Sequence, residues 1–247
     1  MTAAETNARF PTMNTLLFDI ETSGIDFETL DEAQKEYLMR PAEREATEEG
    51  RAAKRAEVIQ QLNLWAPTSR VIAIGMLNVD TGKGKVVYQA DDFEEWTSDD
   101  GLVEFGSGTE EDVLGEFWDV VKRYQRLVTF NGRTFDCPFL MLRSAILGVR
   151  PSRNLMGNRY AKDMVDLLEQ LSFYGASRKF NLDFYCRAFG IESPKAGGIS
   201  GLDMNQLFAE GRHKEIAQYC LGDCRATTEL YKKWRDTLSF DEPGGRE

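Results

Sequence analysis

The feature that most constrains this chain is a carboxylate inside its first strand-like run. Residues 15–20 read TLLFDI, an apolar run of the length of one buried strand, and Asp19 lies near its end. A strand buried on both faces would ordinarily carry another aliphatic residue there. Because an unpaired buried carboxylate costs several kcal/mol, Asp19 must be neutralised by a proton, a cation or a metal.

Glu21 lies two residues beyond Asp19 and points to the same side, because side chains alternate along a strand. Two acids on one face predict a cation site at the end of the strand. A strand that simply ends in an acidic turn would explain the pattern equally well. FDIET alone is therefore a weak signal.

A second misplaced acid is Asp223, which occupies a core-facing position on a predicted helix. The apolar stripe of that helix consists of Ile216, Cys220, Thr227, Leu230 and Trp234, and Asp223 falls on it. Tyr219 lies one turn earlier, beside Asp223. A buried acid next to a hydroxyl suggests catalysis, and a structural salt bridge to an arginine is the alternative.

Polar residues also follow a predicted strand at 127–130. Asn131-Gly132 would place an amide and a flexible backbone at the sheet edge, which suits contact with a phosphate or base, unless it is an ordinary turn. Asp136 could merely favour the start of a helix that has Pro138 in its first turn. Taken together, the acids match hard-cation chemistry, in which two magnesium or manganese ions promote phosphodiester cleavage.

The composition restricts how such a protein could bind a polyanion. Thirty basic and 41 acidic side chains give a formal net charge of -11, which argues against non-specific electrostatic binding of nucleic-acid phosphates. Nucleic-acid binding would therefore be local or mediated by metal. No secretory signal or bilayer-length apolar stretch is present, so we expect a soluble, cytoplasmic protein without membrane contact.

The order of the remaining patterns predicts a mixed α/β domain. Strands are expected at 70–79 and 85–89, joined as a hairpin, followed by a loop at 91–108 and a helix at 109–126. Helical patterns resume around 164–173, 180–189 and 213–238, and a strand could precede the first of them. We expect a flexible arm at 1–13, one domain at 14–238 and a disordered tail at 239–247.

Residues 28–67 interrupt the sheet between its first two strands. They are densely charged, with opposite charges three and four positions apart, which predicts a helical insertion in which Pro41 begins a helix. The insertion is either a solvated excursion packed on the domain or a flap or partner surface, for example for a replication or repair protein.

Three motifs in this order are specific when taken together. FDIET, NGRTFD and YCLGD resemble the three exonuclease motifs of the DEDD superfamily of proofreading domains and ribonucleases. Tyr219, four residues before Asp223, matches the tyrosine branch, whereas Gln218 stands where the histidine branch has its histidine. Residues 14–27 and 68–237 are similar to predicted exonucleases related to the proofreading domain of family B DNA polymerases.

The resemblance implies a ribonuclease H-like fold, with a mixed central sheet flanked by helices, and 3′-to-5′ exonuclease activity with two divalent cations, Mg²⁺ or Mn²⁺. It implies that Asp19, Glu21 and Asp223 hold the metal that activates water, and that Asp136 supports a second metal bridged by Asp19. By the same resemblance Tyr219 orients the water. The residues expected to touch the terminal nucleotide are Thr22, Asn131 and Phe135.

Several alternatives stay open at this point. The substrate is expected to be the 3′ end of nucleic acid, DNA before RNA, but ribonuclease D-like proteins share the tyrosine branch. An inactive module that binds nucleic acid or a partner is a second alternative. Too few residues follow position 237 for a second catalytic domain, so we expect no fused polymerase.

Overall fold

A seven-stranded sheet forms the centre of the computed structural model, which describes residues 13–193, 198 and 200–240. The strands are β1 (Thr15–Gly24), β2 (Ser69–Asn78), β3 (Gly84–Gln89), β4 (Glu95–Thr97), β5 (Val103–Gly108), β6 (Arg126–Thr129) and β7 (Met164–Asp166). They lie in the order β4-β5-β3-β2-β1-β6-β7. Because β1 pairs antiparallel with β2 and parallel with β6, the sheet is mixed, as predicted.

Helices cover both faces of this sheet. Those of the described residues are α1 (Glu32–Glu43), α2 (Glu48–Gln60), α3 (Glu110–Val121), α4 (Asp136–Ile146), α5 (Leu167–Leu171), α6 (Leu182–Ala188), α7 (Met204–Ala209) and α8 (His213–Thr237). One hydrophobic core joins the sheet to α3 and α4, and a second joins it to α8. The predicted α/β class is therefore confirmed.

The central strand β1 contributes to both cores. Phe18 and Ile20 pack on the side of α3 and α4, whereas Leu17 packs on the side of α8. Asp19 and Glu21 alternate with the first pair, so they lie on the α8 face of the sheet. The strand therefore directs its acids toward the longest helix.

The insertion at 28–67 is helical, as predicted. Asp31 begins α1 through a capping box with Gln34, which satisfies the free backbone N–H groups at that end. Pro41 lies near the end of α1 rather than at the start of a helix, so that prediction was wrong. Ala42 and Val58 are buried and attach the two helices to the domain.

The expectation of a loop at 91–108 was also wrong. β4 and β5 lie there, and β5 continues the sheet parallel to β3. Val103, Phe105 and Ser107 alternate inward, and Trp96 of β4 stacks on the Phe105 ring at 3.5 Å between centroids. Glycines and acidic residues between these positions obscured the alternation in the sequence.

Other elements agree with the sequence or extend it. The β2–β3 hairpin and the helix capped by Thr109 form as expected, although α3 ends at Val121. The pattern at 164–173 divides into β7 and α5, and α7 was not predicted. Residues 1–12 and 241–247, which hold most of the predicted arm and tail, lie outside the described residues. Among the described helices, none has the length and apolar character needed to cross a bilayer.

Candidate active site

The acids of β1 converge with a residue of α8. One carboxylate oxygen each of Asp19 and Glu21 and the Sγ atom of Cys220 all lie within 4.8 Å of one another. Asp19 is half-buried, and Glu21 is only 7% exposed. The two acids therefore share one face and one site at the end of the strand.

A glycine on the neighbouring strand brings α8 close to these acids. Gly75 of β2 pairs with Asp19, and a Cβ atom at Gly75 would lie 2.4 Å from Cys224 Sγ and 3.1 Å from Cys220 Sγ. No side chain fits between the strand and the helix there. The Cys220 thiol also donates a hydrogen bond to the Asp19 carbonyl oxygen at 3.7 Å. This close packing fixes the height of α8 above the acids.

Tyr219 and Asp223 sit next to those two cysteines on α8. The charge of Asp223 raises the pKa values of Tyr219, Asp19 and Glu21, which places the four side chains close together. The structure therefore brings the tyrosine and the acid of the third motif to the acids of the first.

Asp136 reaches the same place from α4. It is 3% exposed, and its Oδ1 atom accepts a hydrogen bond from the backbone N–H of Ile20 at 3.2 Å. Its charge raises the pKa values of Asp19 and Glu21. An acid that only capped its own helix would not bond to β1, so this contact goes beyond the cap considered from the sequence.

The acids destabilise one another's charged forms. Burial first, and then the charge of Asp136, raise the pKa of Asp19 well above its ordinary value, and burial and Asp223 do the same for Glu21. Burial also raises the pKa of Asp136 to about 7. In the described part of the chain, no lysine or arginine forms an ion pair with Asp19, Glu21 or Asp136. A cluster of oxygen donors without a cationic partner fits a hard divalent cation.

Tyr219 keeps its proton in these surroundings. Burial, followed by the charges of Asp223 and Glu21, raises the pKa of its hydroxyl above the ordinary range. A tyrosine that stays neutral acts through hydrogen bonds and does not remove a proton.

The three residues expected to touch a nucleotide are adjacent in sequence to the acids or lie in the turn before Asp136, and they differ in burial and hydrogen bonding. The Thr22 hydroxyl is buried and donates to the Asn63 carbonyl oxygen of the insertion at 2.7 Å. Asn131 has a φ of 63°, and its Oδ1 atom accepts from the Thr134 hydroxyl at 2.6 Å. Phe135 is half-buried immediately before Asp136.

Asp166, at the end of β7, was missed in the sequence. Its carboxylate accepts hydrogen bonds from the backbone N–H groups of Asn131 at 2.9 Å and Arg133 at 3.0 Å. It is buried, and its charge raises the pKa of Asp136. The acid in DMVDLL after a short strand was the available signal, but its partners are distant in sequence.

The sheet and the converging acids define an exonuclease-like domain of the ribonuclease H-like fold. The chain belongs to the family described as predicted 3′-5′ exonucleases related to the exonuclease domain of PolB, which it matches over residues 63–239. The family resemblance and the fold predicted from the motifs are therefore confirmed.

Related proteins agree with this assignment. The chain is 28% identical over 155 residues to DNA polymerase 1 of Saccharolobus solfataricus and 30% identical over 142 residues to the DNA polymerase of Thermococcus litoralis. These matches cover 56% and 51% of this chain, but only 18% and 8% of the polymerases. This chain thus corresponds to a small part of those polymerases.

A solved structure has the same fold. The family B DNA polymerase of the hyperthermophilic archaeon Pyrobaculum calidifontis superimposes with a TM-score of 0.55 at 20% identity. The superposition covers 91% of this chain and 25% of that polymerase.

Proposed function

We propose that this protein is a 3′-5′ exonuclease that uses two divalent cations to remove nucleotides from the 3′ ends of single-stranded DNA, releasing nucleoside 5′-monophosphates. The observation that carries the proposal is the convergence of Asp19, Glu21, Asp136 and Asp223 from three separate elements. Asp19, Glu21 and Asp136 form no ion pair with a lysine or arginine among the described residues. Burying such a cluster is favourable only when cations or protons neutralise it.

The acids divide between two cations in this proposal. Asp19, Glu21 and Asp223 would hold one cation, and Asp136 would support a second that shares Asp19. When bound, the pair would supply a hydroxide-like nucleophile near neutral pH and stabilise the leaving oxygen. Mg²⁺ or Mn²⁺ suits a site whose donors are mainly carboxylate oxygens.

Tyr219 orients the attacking water in this proposal. Its side chain is half-buried beside Asp223, and its hydroxyl is protonated because burial and the nearby acids raise its pKa. It therefore donates or accepts hydrogen bonds and leaves proton removal to other groups.

The terminal nucleotide would lie against the turn at 131–135. Asp166 holds the backbone of Asn131 and Arg133, which keeps the turn in one conformation. Asn131 and Phe135 would contact the nucleotide from this turn, and Thr22 from the end of β1. Residues 14–238 would act together as one exonuclease domain.

DNA is proposed before RNA because the related proteins are DNA polymerases. The test uses a 20-nucleotide DNA strand labelled at its 5′ end and a matched RNA strand, each with Mn²⁺, Mg²⁺ or EDTA. We expect a ladder of shortened labelled products and free nucleoside monophosphates from DNA, only with metal.

Matched variants complete this test. Asp19→Asn should abolish cleavage, whereas Asp99→Asn, at an exposed acid of the β4–β5 connection, should leave it unchanged. Cleavage by Asp19→Asn at the wild-type rate would refute the assigned site. Faster cleavage of the RNA strand than of the DNA strand would refute the proposed substrate.

A further inference from the structure

Exposed aromatic side chains are concentrated in one stretch of the chain. Four of the eight strongly exposed aromatics in the described chain lie between 160 and 184, with exposed fractions of 37% to 66%. These four, which we call the aromatic rim, are Tyr160, Phe173, Tyr174 and Phe184. Exposing large rings to water is unfavourable, so a cluster of them indicates a contact surface.

The backbone holds two of these rings outward. Phe173 and Tyr174 have φ values of 49° and 57°, and Asn131 is the one other non-glycine residue of the described chain with a positive φ. This conformation is strained for bulky residues. The Ser172 carbonyl oxygen stabilises it by accepting from the backbone N–H groups of Gly175 and Ser177. The strain presents the rings to solvent and gives them no place in the core.

Neighbouring side chains also fix the orientation of the rim. The Tyr174 hydroxyl accepts from Gln170 Nε2 at 2.8 Å, and its ring lies 5.0 Å from that of Tyr160. The Arg159 guanidinium lies 5.6 Å from the Tyr174 ring. At the other end, the Phe184 ring stacks on Phe180 at 4.3 Å with an interplanar angle of 9°.

Positive charge is interleaved with these rings. Residues 150–187 contain seven basic and four acidic side chains, whereas the whole chain has a net charge of -11. Arg178 and Lys179 lie in the exposed run between Tyr174 and Phe184, and neither forms an ion pair with a carboxylate of the described chain. This segment is therefore a local positive surface on an acidic protein.

The rim adjoins the turn that carries Asn131 and Phe135. The Arg133 guanidinium donates to the Gly157 carbonyl oxygen at 2.9 Å, which attaches the segment before Tyr160 to this turn. On the Phe184 side, the neighbouring Tyr185 ring packs on Phe130, the residue before Asn131, at 6.1 Å. The rim therefore continues the surface on which the terminal nucleotide would lie.

We propose that the aromatic rim, with Arg178 and Lys179, binds the single-stranded segment of the substrate on the 5′ side of its terminal nucleotide. Bases would stack on the rings and phosphates would pair with the two cations, a combination that tolerates any sequence. This inference rests on the exonuclease function proposed above.

A nucleic acid fits this surface better than a protein partner. Between residues 157 and 184, the large hydrophobic side chains that are strongly exposed are all aromatic, and Met156, directly before this stretch, is 40% exposed. Protein interfaces usually have a mixed apolar centre, whereas flat rings alternating with cations match bases alternating with phosphates.

The test separates strand binding from catalysis. Fluorescence anisotropy in EDTA measures affinity for a 20-nucleotide strand, and kcat/KM with Mn²⁺ is compared for 20-nucleotide and trinucleotide substrates. We expect Phe173→Ala, or Arg178→Glu with Lys179→Glu, to weaken binding of the 20-nucleotide strand about tenfold. The preference for the longer strand should fall about tenfold as well, and the charge reversal should reduce the salt dependence of binding.

Matched controls lie on other surfaces. Phe93→Ala removes a ring that is 75% exposed, and Lys122→Glu with Arg123→Glu reverses an exposed basic pair at the end of α3. Neither should change affinity or length preference. Rim variants that bind like these controls while the wild-type protein cleaves both substrates would overturn the inference and leave the exonuclease proposal standing. Wild-type protein that binds the long strand but cleaves neither substrate would instead refute the exonuclease function.

Discussion

Removing the charge of Asp136 should stabilise the metal-free protein, in a way that depends on pH. Burial raises the pKa of this carboxyl from 3.8 to about 7, so the folded protein keeps a proton that the unfolded chain loses near pH 4. Because the folded protein binds this proton more tightly than the unfolded chain does, the free energy of unfolding falls as the pH rises from about 4 to about 7. Asparagine avoids this loss, and its Oδ1 atom can still accept the hydrogen bond from Ile20.

The magnitude follows from the size of the shift. One pKa unit corresponds to 1.36 kcal/mol, so a shift of about three units lowers the free energy of unfolding by about 4 kcal/mol above pH 7. At pH 5 the same linkage removes only about 1 to 2 kcal/mol. Asp136→Asn should therefore stabilise the metal-free protein by about 2 to 3 kcal/mol more at pH 8 than at pH 5.

Urea unfolding in EDTA at the two pH values, followed by circular dichroism, measures this difference. Asp99→Asn serves as the control, because Asp99 is exposed. The Asp136→Asn substitution also removes the repulsion that Asp136 exerts on Asp19 and Glu21, which stabilises the protein in the same direction. Equal effects of Asp136→Asn at pH 5 and pH 8, or a larger effect at pH 5, would refute the argument from burial.

Three further outcomes are expected from the site. Mn²⁺ at 100 times its Kd should stabilise the protein by about 2.7 kcal/mol and raise its Tm by about 5 to 10 °C in differential scanning fluorimetry; an equal rise in Asp19→Asn would contradict the assigned ligand. Tyr219→Phe should lower kcat about 100-fold while the Mn²⁺-induced rise in Tm persists, and an unchanged kcat would exclude the tyrosine from water positioning. Gly75→Ala should destabilise the protein by about 1 to 3 kcal/mol in urea, because its Cβ atom would meet Cys224 Sγ, and adding Cys224→Ala should recover most of this loss. Gly222→Ala, whose Cβ atom meets nothing within 4 Å, should be neutral or stabilising, and similar losses for both glycines would argue against the close packing.

Local patterns were enough to single out two of the four acids. Asp19 interrupts an apolar strand and Asp223 an apolar helical stripe, so each is conspicuous within a window of a few residues. Strand alternation placed Asp19 and Glu21 on one face. The order of the three motifs in the sequence indicates the family to which these segments belong.

Contacts between distant segments were not predictable in this way. Gly75 is an ordinary glycine in the sequence, and its role depends on which helix crosses β2. Asp166 caps the short helix α5 locally, but it also accepts two hydrogen bonds from a turn more than 30 residues earlier. β5 was missed because its buried residues alternate with glycine and acid, which weakens the local signal for a strand.

The bond between Thr22 and Asn63 links the insertion to the strand that carries the acids. Thr22 directly follows Glu21, and a β-bulge separates the two, so the strand is already irregular there. A shift of the segment after α2 must therefore either break this bond or move the backbone beside Glu21. The charged helices, remote in sequence from Asp136 and Asp223, are thus connected through the segment after α2 to the strand that carries Asp19 and Glu21.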